Sequence, residues 1–157
     1  MCPVGYTERA VATINAVAAE VGRPSPAVVQ YVPCVARTDG YAARQAAKAV
    51  IGDMLAAFWP AGGKWPALRE TIVAQSGIPR PEFVAALDRL RRGEAADRVL
   101  DERFVDAFAI AGTAEECLVA AARYRRAGVG ELVLTFAGAD PARDIGYLGR
   151  ALAEKRT

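Results

Sequence analysis

Apolar residues recur at three- and four-residue spacing through Val11, Ile14, Ala18 and Val21, which predicts an amphipathic helix; Thr7 stands where a cap would, and Gly22 and Pro24 supply a stop. The pattern then changes. Residues Ala27 to Val35 form a nearly continuous, β-branched apolar run between turn residues, as expected of a parallel strand buried on both faces. Pro33 inside that run has no N–H for a ladder bond, which places a strand end or an edge there. From Thr38 and Asp39 a long helical period runs through Tyr41, Ala43, Ala47, Val50, Ile51, Leu55 and Phe58, with an apolar stripe broad enough to be packed on more than one side, and stops at Pro60 to Gly63.

Two shorter helical segments follow, about Pro66 to Gln75 and Pro81 to Arg92, each opened by a proline that a first turn tolerates and each followed by a glycine, Gly77 or Gly93. Asp101 to Ile110 reads as a further short helix broken by Gly112. Thr113 and Glu116 then have the spacing of a capping box, which predicts a helix to Ala127 with Gly128 as its stop. Leu132 to Phe136 is a second short buried strand, and Asp140-Pro141 is the start of a last helix through Ile145, Leu148 and Leu152. The expected order is helix, strand, long helical region, strand, helix. Two parallel strands joined by a helical crossover leave an unpaired edge on each side.

Composition narrows the function classes. Among 157 residues, 20 basic and 18 acidic side chains give a charge of +2 without a block of either sign, so no footprint for nucleic acid or a membrane surface is expected, and a small molecule or a protein partner is. No apolar run reaches the roughly 18 residues of a membrane span, and Met1 to Tyr6 lacks the basic and apolar stretches of a leader; a cytoplasmic location is the expectation. Cys2, Cys34 and Cys117 are an odd set without C-x-x-C spacing, which points to reduced thiols rather than a disulfide framework or zinc. Histidine is absent, so the commonest metal ligand and general base are missing.

The segment Val105 to Cys117 (VDAFAIAGTAEEC), continuing through Tyr124-Arg-Arg-Ala-Gly-Val-Gly-Glu-Leu-Val-Leu134, resembles the penultimate helix and final strand of luciferase-like oxidoreductases, the flavin- or deazaflavin-dependent class. Upstream, Tyr6 to Gly22, Arg23-Pro24 and the strand Val28 to Ala36 with Thr38-Asp39 are similar to that family's sixth helix, seventh strand and following loop. The resemblance implies an α/β fold, a partial (β/α)₈ TIM barrel made of its C-terminal βαβα portion. It would form one domain over residues 1–157, with a helical insert over about 39–110. It implies a cofactor, either deazaflavin (coenzyme F420) or FMN, and oxidoreductase or monooxygenase chemistry on a small-molecule substrate. Counterparts of the first five or six strands are missing, and a complete barrel takes about 250 residues. The chain is therefore expected to be the C-terminal portion of such an enzyme, inactive alone, working as a homo-oligomer or with a complementing barrel subunit. A non-catalytic interaction or oligomerisation protein derived from the barrel is the alternative.

Barrel active sites lie at the C-terminal ends of the strands. The resemblance accordingly implies that Tyr31, Pro33, Cys34, Val35 and Ala36 wall the cofactor pocket, beside the plainer reading that they are barrel core. No cation-rich or histidine neighbour marks Cys34 as a nucleophile, so an inert thiol is expected, and Cys117 falls in a helix of small residues. Arg37, Arg44 and Lys48 follow the strand; Arg44 and Lys48 lie one helical turn apart, on a solvated face or in reach of a phosphate or carboxylate. Trp59, Lys64 and Trp65 flank a glycine-rich loop, but Gly62-Gly63-Lys64 lacks the rest of a phosphate loop.

Overall fold

The structure, a computed structural model, describes residues 2–59 and 65–154. Within them the chain runs α1 (Val4–Glu20), β1 (Val29–Ala36), α2 (Gly40–Phe58), α3 (Pro66–Gln75), α4 (Arg80–Arg91), α5 (Ala96–Val99), α6 (Glu102–Phe108), β2 (Ile110–Gly112), α7 (Ala114–Arg126), β3 (Glu131–Phe136) and α8 (Pro141–Glu154). The helix-rich α/β fold is the one expected. Its local starts differ in one place: α1 opens at Pro3, and Thr7 lies inside it, buried, with its hydroxyl donating to the Pro3 carbonyl at 3.2 Å. The stop expected at Pro60 to Gly63 lies outside the described residues, where α2 has already ended at Phe58 with Trp59 behind it.

The strand count needs correction. The sheet has three parallel strands in the order β2-β1-β3, because Ile110 leaves the helix expected around it and, with Ala111 and Gly112, pairs with Cys34, Val35 and Ala36. Three residues are too few to show a period in sequence, and the pairing that creates the strand is tertiary. On its other side β1 pairs with β3 over six residues, from Val29 opposite Glu131 to Cys34 opposite Phe136.

The same registers explain Pro33. The Arg37 N–H donates to the Gly112 carbonyl at 3.0 Å, and a parallel ladder turns every second residue of a strand toward the same neighbour, so residues 33, 35 and 37 address β2. Pro33 sits one residue before the point where β2 begins opposite Cys34. Its missing N–H therefore removes no bond, and the proline is accommodated in the middle of a central strand.

Each side of the sheet has its own core. Val35 and Ala111 face α2 and the helices after it, in a cluster with Ile51, Leu55, Val105 and Phe108. Phe83 centres that cluster, its ring 5.6, 5.4 and 5.9 Å from those of Trp59, Phe104 and Phe108. Val32, Cys34, Ala36 and Ile110 face the opposite way, against Cys117 and Tyr124 of α7 and Leu148 of α8. Burying side chains of this size stabilises by roughly 1.5–3 kcal/mol each, and here the burial also fixes which residues of β1 look which way.

Candidate functional site

Because all three strands are parallel, their C-terminal ends form one rim, from which α2, α7 and α8 start. Each start is closed by a side chain. Asp39 accepts from the Ala42 N–H at 3.0 Å, Thr113 from the Glu116 N–H at 3.3 Å, and Asp140 from the Arg143 N–H at 3.1 Å. The reciprocal half of the capping box is present too, the Thr113 N–H donating to Glu116 Oε2 at 2.6 Å. Three helix N-termini would draw anions to this rim, but their caps already satisfy part of that demand.

Between α2 and the loop after β3 lies a cleft of about 470 Å³, lined by Arg37, Ala46, Ala49, Val50, Asp53 and Met54 on one side and Ala137, Gly138 and Ala139 on the other. That volume lies in the range of small-molecule sites. Arg37, half-buried at the end of β1, is the cation among these residues. Its Nε lies 3.9 Å from Asp144 Oδ1, its Nη1 donates to the Ala42 carbonyl at 3.4 Å, and Asp144 is buried with a side chain only 3% exposed. One guanidinium thus ties the β1–α2 loop to the first turn of α8.

The five wall candidates divide by face. Side chains alternate along a strand, so Tyr31, Pro33 and Val35 share one side, with Tyr31 65% exposed, while Cys34 and Ala36 lie on the other, fully buried against α7 and α8. A hydrogen bond with Cys117, together with burial, pushes the Cys34 thiol far above the ordinary thiol range.

Arg44 and Lys48 do share a face, and both are engaged there by acidic side chains of α6. Lys48 is buried, with its Nζ 2.8 Å from Glu102 Oε1, and Arg44 bonds both Glu102 and Asp106, the latter at 2.8 Å. Their charges clamp α2 to α6. A second hollow of about 500 Å³ beside β2 is lined by Arg44, Asp106 and Arg123 among others, and of its two arginines Arg44 is engaged by this pairing. Trp59 is buried in the aromatic cluster and Trp65 is exposed, while Lys64 lies outside the described residues. Sequence reasoning missed Asp144, for which no local signal exists: it is recognised only through Arg37, far away in the chain.

Comparison with known proteins completes the description. The family model for luciferase-like monooxygenases matches residues 1–131. Among solved structures, the coenzyme F420-dependent tetrahydromethanopterin reductase of Methanopyrus kandleri superposes with a TM-score of 0.77 at 22% identity, over 99% of this chain and 43% of the reductase. The chain therefore spans less than half the length of that enzyme. No curated protein sequence matches it. At that identity the structural likeness speaks for the fold, a partial barrel of the luciferase-like type. No helix among the described residues is long and apolar enough to cross a membrane.

Proposed function

The chain belongs to the luciferase-like monooxygenase family, and from that premise we propose that it contributes the last strands and the rim cleft of an oxidoreductase barrel whose remaining strands come from further polypeptide. The observation that carries this reading is the coincidence of the cleft with the C-terminal ends of parallel strands, the end at which barrels of this type act. In this reading α7 and α8 lie on the outer side, and Tyr31 and Pro33 face the interior with Val133 and Thr135, while Val35, on the same side of the strand, is covered by α2. Cys34 and Ala36 then support that wall from behind.

The residues fit a flavin or deazaflavin in part. The cleft has a suitable volume, small side chains on both walls and one guanidinium donor. Such a cofactor supplies hydride chemistry when bound. The chain's own share is to shape one side of the pocket, to exclude water with Ala46, Val50 and Met54, and to present Arg37 in the orientation fixed by Asp144 and the Ala42 carbonyl. The helices α2 to α6, the insert expected over about 39–110, cover the Val35 side of the sheet.

The test is purification from the native source, with mass spectrometry of co-purifying polypeptides and an absorbance spectrum. A partner or extended chain carrying barrel strands, together with a flavin or deazaflavin band, supports the reading. A colourless protein with neither sinks it.

A further inference from the structure

Two cysteines from distant parts of the chain meet beneath the rim. Cys34 lies on the central strand β1, between Ile110 of β2 and Phe136 of β3, with its side chain on the face that packs against α7. Cys117 closes the first turn of α7, its N–H donating to the Thr113 carbonyl at 2.9 Å, and its side chain turns back to the sheet, with Sγ 3.8 Å from the Gly112 carbonyl oxygen. The two thiols are hydrogen-bonded to each other, Cys34 donating to Cys117 and Cys117 in turn to Gly112. The bond from Cys34 holds the Cys117 thiol below the ordinary thiol range, against the opposing pull of burial and of the Glu116 and Asp144 carboxylates. Cys117 is therefore the member of the pair that more readily becomes a thiolate, the nucleophilic form. Cys34 and Cys117 are only 0% and 1% exposed, which shuts out a bulky oxidant such as glutathione disulfide and leaves a small hydroperoxide as the one that fits.

We propose that Cys34 and Cys117 form a peroxide-responsive dithiol whose disulfide locks α7 to β1. The Cys117 thiolate attacks one oxygen of hydrogen peroxide, the O–O bond breaks, and the departing hydroxide takes up the proton that Cys117 lost, giving a sulfenic acid and water. The Cys34 sulfur then attacks the Cys117 sulfur; the hydroxyl group leaves with the Cys34 proton as a second water. Two thiols are oxidised to one disulfide and one peroxide is reduced. The bond ties the first turn of α7, and with it the capping box of Thr113 and Glu116, to the central strand, and a dithiol reductant reverses it by exchange.

The experiment treats the full chain carrying Cys2→Ser with hydrogen peroxide at neutral pH, alkylates the remaining thiols under denaturing conditions and maps the peptides by mass spectrometry. Both thiols should escape alkylation, joined as one Cys34–Cys117 peptide pair, and dithiothreitol should restore them. Amides of α7 should exchange with deuterium about tenfold more slowly in the oxidised chain than in the reduced one. In Cys34→Ala the Cys117 sulfur has no resolving partner and should run on to the sulfinic acid. Four results overturn the proposal: both thiols still alkylate after peroxide, the link appears only when the chain is first unfolded in urea, Cys117 reaches the sulfinic acid with Cys34 in place, or the link forms without slowing exchange in α7.

Discussion

The Glu116 carboxylate, which closes the capping box of α7, also lies against Gly40 at the start of α2, where a β carbon would come within 2.6 Å of its Oε2. Two rim helices therefore begin around one carboxylate. Gly112, at φ 146°, lies against the same oxygen, so the strand that feeds α7 has no room for a side chain either.

Thr113→Ala is expected to cost about 1 kcal/mol through loss of the cap. Gly40→Ala should displace Glu116 and open the other half of the box. Because the two changes act on one motif, their costs should fall short of additivity, the double variant losing less than the sum. Denaturant unfolding of the three variants measures this; strict additivity would mean that Glu116 does not link the helices.

The ion cluster on α2 gives a pH prediction. Burial pushes the Glu102 carboxyl up, but hydrogen bonds from Lys48 and Arg44 outweigh it and hold the group below the usual carboxylate range. A carboxylate depressed in the folded state contributes stability above its unfolded value, about 4.3, and loses it as the pH falls through the folded value. Urea unfolding across the acid range should show that loss in the wild type, and Glu102→Gln should flatten it. At neutral pH Glu102→Gln should cost about 1–3 kcal/mol, since Lys48 is left buried without its partner. Lys48→Met should cost less, because it removes the charge that needs one.

Much of this fold was legible in the residues. The capping box at Thr113, the rim start at Asp39 and the apolar runs of β1 and β3 all sit where spacing and turn chemistry put them. What was hidden depends on contacts between distant segments. Ile110 to Gly112 become a strand only because Cys34 to Ala36 are there to pair with, and Pro33 is harmless only because β2 begins one residue later. At the site, the alternation along β1 was available from sequence, but which side packs against α7 and α8 was not. Arg37, Arg44 and Lys48 looked alike on the chain. Glu102 and Asp144, contributed by different helices, give them opposite fates.

The isolated chain should carry no stoichiometric flavin or deazaflavin. The cleft touches a ligand from one side, whereas formed sites bury about 70–90% of a ligand's surface. A yellow preparation with one cofactor per chain would contradict the expectation.

The chain should also not be a monomer in solution. On β3, residues 131, 133 and 135 turn their backbone groups toward β1, since the Glu131 N–H donates to the Val28 carbonyl. The N–H and C=O groups of Leu132, Leu134 and Phe136 therefore point to the open edge of the sheet. No lysine or proline blunts that edge, although soluble proteins usually protect edges by such devices or by cover. On the sheet face turned away from α7 and α8, Val29 and Tyr31 are 46% and 65% exposed, and Ile145 and Leu152 of α8 are exposed as well. A second copy can cover these groups across a twofold axis, the commonest oligomer symmetry, and a polypeptide carrying the remaining barrel strands can do the same. Either interface should exceed about 2,000 Å² and be apolar, as in obligate assemblies. Sedimentation at low micromolar concentration decides the matter, and Leu134→Lys should shift any self-association toward monomer by placing a charge on the β3 strand. A well-folded, stable monomer of the unaltered chain would refute the edge argument.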